Sequence, residues 1–314
     1  LRTVLEERTE KLEELRERVA ELEAEREELA ADRETVREER DRLADRVDEL
    51  EDALAAAEAR AEETDAAGDG SDGSTGPTLD AERALAGTNL FVQYESQGSS
   101  PTLSDAHDGA DAGAVNDNLR LEHHAQFEAE GATVDGEQYA TFLTATPEYR
   151  FVEWVVRELL YEIRDAGHRS ELAALYDAIP EVYRVELRGT VEVPAGQEET
   201  TERTFDVILR DRMGAALMVA DLNDSRDPVT GTMMEDLVDA AGDAAGPTDL
   251  AAAFYVTASF FAPESLDVSK EATSGGLLSR GSKESFVKTD RKSGYHLCLV
   301  ESREDSFYLT VPEL

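Results

Sequence analysis

From residue 1 to about residue 62, apolar side chains return every seven positions, and Leu15, Leu22, Leu29, Val36, Leu43, Leu50 and Ala57 form one seam. A second seam, three residues earlier, reads Leu12, Val19, Arg26, Arg33, Arg40, Val47 and Leu54. A stripe of this period is buried only against another helix, so the pattern predicts a coiled coil over 1–62. A parallel homodimer is the expected assembly, with an antiparallel pairing open. At a rise of 1.5 Å per residue the rod would measure about 90 Å. The three arginines in the second seam can pack their stems while the guanidinium groups reach flanking glutamates. Polar residues at such positions limit register and partner number.

The periodicity then stops. Residues 63–86, which include Gly68-Asp-Gly-Ser-Asp-Gly-Ser-Thr-Gly-Pro77, offer nothing to bury and read as a flexible linker. Residues 87–314 read as a globular α/β (α+β) domain. Asn89–Tyr94 and Leu119–Glu128 alternate as strands, separated by a polar loop over about Gln97–Asp117. Pro147 opens a helix over Glu148–Asp165 whose Val152, Val155, Val156, Leu159 and Ile163 share a face, with Gly167 after its end. Further along, the pattern predicts a short helix at Glu171–Ala178 and strands at Val182–Val193, Thr204–Asp211 and Ala216–Leu222. A helix at Val229–Ala245 and an almost wholly apolar strand at Ala252–Phe261 follow. The order is α-β-β-β-α-β over about 148–262. A C-terminal extension, 263–314, adds strands at His296–Glu301 and Phe307–Val311.

Charge narrows the setting. The chain carries 71 acidic against 31 basic residues, a formal net charge of −40, and only Lys11 precedes Lys270 among its lysines. An acidic excess spread over the whole chain is tolerable where salt screens it, since at about 1 M salt the screening length falls to about 3 Å. The expectation is a cytoplasmic protein of a halophile. Nothing approaches 18 consecutive apolar residues, so no span of the visible chain crosses a membrane. Cys298 is the single cysteine, which excludes an intrachain disulfide and a cysteine-based zinc site, and its apolar setting predicts a buried, inert thiol.

Candidate chemistry lies in residues 204–223, which read as a hairpin turning at Met213-Gly214. That register sets Asp206 opposite Asp221, both on one face, with Asn223 two residues further along it. Facing carboxylates repel. A shared Mg²⁺ bound by Asp206 and Asp221 is one reason to place them so.

With an aspartate on the second strand and an acidic-x-basic-type motif on the third, residues 148–261 resemble the PD-(D/E)XK, or restriction-endonuclease-like, nuclease core. The resemblance implies Asp206 and Asp221 as metal-binding acids, with Mg²⁺ the cofactor of an active member, and Glu158 or Glu162 as the helix glutamate. Asn223 stands where that family's pattern has its lysine, and Arg226 is the nearest cation. The domain also resembles an uncharacterised family of haloarchaeal coiled-coil proteins sometimes labelled transducer-like.

The tail departs from the acidic background. Between 269 and 303, seven basic residues stand against four acidic ones, and Lys283, Lys288, Arg291 and Lys292 are candidate phosphate contacts. They serve equally as counter-ions to the protein's own acids. Three readings follow: a non-catalytic, nuclease-like domain in a binding or regulatory role, with nucleic acid as one partner; a Mg²⁺-dependent nuclease; and a scaffold whose globular end binds protein.

Overall fold

The computed structural model describes residues 76–96, 98–194, 200–246, 248–273, 286–288, 294–303 and 306–310. The expected coiled coil and most of the expected linker lie outside these residues. The linker reading fails at its C-terminal end. Thr78–Leu79 is a short strand (β1) and Ala81–Ala86 a helix (α1), capped by Asp80, whose carboxylate accepts a 2.8 Å bond from the Arg83 amide. Ala84 and Leu85 are buried, so this turn of helix belongs to the core. Asp80→Ala is expected to cost about 1 kcal/mol of stability, the usual worth of such a cap, measurable by urea denaturation.

The strand Thr88–Tyr94 (β2) follows. The expected polar loop instead holds two short helices, Leu103–His107 (α2) and Ala112–Asn118 (α3), capped by Thr102 and Asp111, the first burying Leu103 and Ala106 and the second Val115. Strand Leu119–Ala125 (β3) returns antiparallel to β2. Two short strands, Thr133–Val134 (β4) and Glu137–Gln138 (β5), make a small separate sheet with β1, and helix Tyr139–Ala145 (α4) comes next.

The long helix α5 begins where Pro147 signals it. It runs as Pro147–Trp154, a π turn at Val155–Leu159, and Leu160–Asp165. Thr146 caps its start through a 3.3 Å bond from the Tyr149 amide, and Pro147 fits the first turn because no intrahelical partner awaits its missing N–H. Gly167, at φ +81°, ends it. Helix Ala173–Ala178 (α6) leads to strands Arg184–Pro194 (β6), Thr200–Arg210 (β7) and Ala216–Asn223 (β8), helix Gly231–Ala245 (α7), strand Ala252–Thr257 (β9) and helix Pro263–Thr273 (α8). Strands Phe286–Lys288 (β10), Gly294–Arg303 (β11) and Ser306–Thr310 (β12) complete the described chain.

Among the described residues, nine strands form one mixed sheet in the order β10-β11-β9-β8-β7-β6-β2-β3, with β12 also paired to β11. Pairings β8–β9 and β9–β11 are parallel and the others antiparallel. The C-terminal segment is therefore no appendage. β11 lies beside β9 in the sheet, and Tyr295–Val300 are buried.

Each face of the sheet has its own core. Val185, Leu187, Val207, Met218 and Phe254 pack with the α5 side chains Phe151, Trp154 and Leu159. Phe205, Ile208, Val219 and Tyr255 pack on the other side with Met234, Leu237 and Ala241 of α7, and α8 covers their margin. Cys298 belongs to the first core, where burial pushes its thiol up to about 12, in keeping with an unreactive side chain.

Candidate functional site

The site is made by a fault in the alternation of β6 and β7. Val185 and Leu187 face the α5 core, yet Val191 and Val193, of the same parity, face the α7 core. The same switch separates Val207 from Phe205 on β7. The ladder runs to Leu187–Val207 and resumes at Gly189–Phe205, leaving Arg188 and Asp206 out of it. Arg188 takes φ +52°, a left-handed conformation that costs a non-glycine residue about 1–2 kcal/mol. Gly189 permits the kink, since a Cβ there would meet the Glu186 Cβ at 2.9 Å and the Ile208 Cδ1 at 3.0 Å.

At this kink Arg188 reaches two acids. One terminal nitrogen donates to Asp206 in a close contact, and the other donates to the Glu148 Oε1 at 2.9 Å. Glu148 lies in the first turn of α5 and is 3% exposed, whereas the Arg188 side chain keeps 36% of its surface. The second Asp206 oxygen accepts a 2.7 Å bond from the Leu222 amide on β8. Both oxygens of Asp206 are thus engaged by protein donors. The Arg188 Nε is buried without a hydrogen-bond partner.

Asp221 sits on the adjacent strand. The β7–β8 register, Val207–Ala220 and Ile208–Val219, sets Asp206 across from it when continued by one position. Burial pushes the Asp221 carboxyl up to about 6, against the pull of Arg188 and with the help of Asp236 on α7. Burial likewise raises Glu148 above the ordinary glutamate range, opposed by its own backbone amide and by Arg188 and reinforced by Asp224. One guanidinium therefore serves Glu148, Asp206 and the field at Asp221. The hairpin differs from the two-residue turn expected: it closes through Asp211–Ala215, with Gly214 at φ +91° and a register shift between Leu209 and Arg210.

Asn223, 8% exposed, has a structural occupation. Its amide donates to the Asp227 carbonyl at 2.8 Å, and its carbonyl accepts from the Ser225 amide at 3.2 Å and hydroxyl at 2.7 Å. These bonds fold residues 224–227 over the end of β8. Ser259 ties down the same loop through a 2.9 Å bond to the Arg226 carbonyl.

The helix glutamates named from the sequence lie elsewhere. Glu158 and Glu162 follow Glu148 by ten and fourteen residues, about 15 and 21 Å along α5 at 1.5 Å per residue. Glu158 is exposed, and Glu162 accepts from the Trp154 indole at 3.3 Å beside a cavity of about 310 Å³ walled by Leu159, Ile163, Phe307 and Leu309. The glutamate at the carboxylate cluster is Glu148. Lys283, Arg291 and Lys292 lie outside the described residues, as does the side chain of Lys288 on β10.

The role of Arg188 is not legible in the sequence because its contacts depend on the kink. The signal available was a glycine directly after it, inside an otherwise alternating strand. Among the described residues, no group of three or more His, Cys, Asp or Glu side chains is arranged to hold a metal, and no helix is long and apolar enough to cross a membrane.

Comparison with curated proteins and with solved structures returned no match. A family model does match, across most of the chain and nearly all of the described fold. Over residues 79–314 the chain belongs to the family described as Domain of unknown function (DUF7527).

Proposed function

We propose that this domain is a non-catalytic, nuclease-like module, used for binding and carried as a homodimer by the coiled coil. The observation that carries the reading is Arg188. In the PD-(D/E)XK-like interpretation, Glu148, Asp206 and Asp221 are the acids that would face Mg²⁺. Here a guanidinium bonds to Glu148 and Asp206 from within the protein, and the Leu222 amide takes the remaining Asp206 oxygen. These acids do not fit a divalent ion in this arrangement, because a fixed internal cation already supplies the compensating charge. The expected lysine position holds Asn223, whose amide is spent on the loop below. A neutral amide lacks the charge needed to stabilise a developing phosphorane.

The test is cleavage of plasmid and single-stranded DNA with Mg²⁺ or Mn²⁺ in molar KCl, wild type beside Asp221→Ala. The reading predicts no cleavage by either protein. Cleavage by wild type that disappears in Asp221→Ala would establish the nuclease alternative.

A further inference from the structure

The face of β3, β2 and the Arg184–Glu186 end of β6 that turns away from α5 lies beyond the α7 core, which covers β6 only from Val191 onward. Alternation assigns Asn89, Phe91 and Gln93 of β2 to it, since Leu90 and Val92 point into the α5 core. The same rule assigns Arg120, Glu122 and His124 of β3, and Arg184 and Glu186 of β6. All are partly or fully exposed. The pairings Phe91–Glu122, Phe91–Arg184 and Arg184–Arg210 put an aromatic ring and two guanidinium groups in one row across four strands.

The rings on this face are in contact. Phe91 lies 4.7 Å from His124 and 5.8 Å from Tyr183, centroid to centroid. The guanidinium of Arg212, on the β7–β8 turn, stacks over Tyr183 at 4.8 Å. Arg184 and Arg210 share one carboxylate, Glu186, at 2.6 and 2.7 Å, which leaves the pair with a net positive charge. Arg212 has no carboxylate within ion-pair distance among the described residues. In a chain with 71 acids to 31 bases, Arg120, Arg184, Arg210 and Arg212 stand beside half-buried rings against Glu95, Glu122 and Glu186, which leaves a small net positive charge here.

We infer that this face binds single-stranded nucleic acid, with bases stacked on Phe91 and Tyr183 and phosphates met by Arg184 and Arg212, since Arg120 is already engaged by Glu95 and the Asp117 and Leu119 carbonyls. Stacking is indifferent to base identity, and aromatic side chains on a sheet are a general platform for unpaired bases. It also resists salt: at molar ionic strength phosphate contacts are heavily screened, while ring stacking persists. A duplex hides its bases and could meet only the arginines. The inference rests on the binding role proposed above but uses none of the residues around Arg188.

The experiment is fluorescence anisotropy of labelled twelve-nucleotide oligo(dT) and oligo(U), and of a twelve-base-pair duplex, with the full chain at 0.2 and 2 M KCl. Wild type is expected to bind both single strands at both salt concentrations and the duplex at least tenfold more weakly. Phe91→Ala is expected to weaken binding about tenfold or more, the loss of one stacked base. Arg212→Glu, on an exposed turn where it cannot disturb the core, is expected to do the same. Absence of single-strand binding by wild type, equal affinity for the duplex, or binding unaffected by Arg212→Glu would each overturn the inference. Cleavage of the same oligonucleotides would overturn the non-catalytic reading while leaving the binding face standing, so the two failures are distinct.

Discussion

Replacing Arg188 with methionine is expected to destabilise the domain by about 3 kcal/mol at neutral pH, the largest single effect the structure suggests. Methionine keeps much of the stem and removes the charge, so Glu148 and Asp206 lose their shared donor. Breaking a buried pair from one side costs about 3–5 kcal/mol, because the remaining charge stays desolvated. The lower end applies because the Arg188 side chain is 36% exposed while that of Glu148 is 4% exposed. The deficit should shrink on acidification. Burial already raises Glu148 above its ordinary value with Arg188 present, and removing the guanidinium raises it further. A carboxyl raised in the folded state is stabilising below its unfolded value and loses that contribution as pH rises through the folded one. Urea melts of Arg188→Met between pH 7.5 and 4.5 should therefore converge toward wild type at the acid end. A gap independent of pH would mean the side chain acts through packing alone.

Asp221→Asn carries the opposite sign. Its carboxyl stands at about 6 in the folded protein against an ordinary 3.8, chiefly through burial. Charged Asp221 thus weakens the fold above pH 6, and the wild-type protein should gain stability as pH falls from 7.5 toward 4. A shift of this size corresponds to about 3 kcal/mol, and about 2 kcal/mol after allowing for the part of the carboxyl that water reaches. Asparagine removes the charge at nearly constant volume. The variant should therefore be about 2 kcal/mol more stable at pH 7.5 and should lose most of the acid-side gain. Thermal denaturation of both proteins across that range checks the claim, and an asparagine variant less stable at pH 7.5 would contradict it.

Much of this fold could be read from the periodicity of side chains, and the misses share a cause. Helix α5 was visible because Pro147 and Gly167 bracket a 3.6-residue stripe, and the β7–β8 register because Gly214 marks the reversal. Strand order was not visible. The apolar run at 296–300 reads identically whether its strand lies at an edge or beside β9, so its place in the sheet is not legible there. The helical stripe shows which face of α5 is buried but not which end approaches β7, so it does not single out Glu148 from Glu158 and Glu162. Arg188 required the switch of faces in two strands together, a product of twist and of the space Gly189 leaves beside Glu186 and Ile208. The residues of the open face, Phe91, Tyr183 and Arg212, come from separate segments that only the β2–β6 and β6–β7 pairings unite.

The central claim is that Arg188 stands in place of a metal ion. Its most direct test is titration calorimetry of Mn²⁺ into three proteins: wild type, Arg188→Met and Arg188→Met combined with Asp206→Asn. Folding is checked by circular dichroism at the same pH. Wild type should show no site, Arg188→Met should bind one Mn²⁺ and regain stability from it, and the double variant should lose that binding. A Mn²⁺ site in wild type that needs Asp206, or none in folded Arg188→Met, would contradict the account.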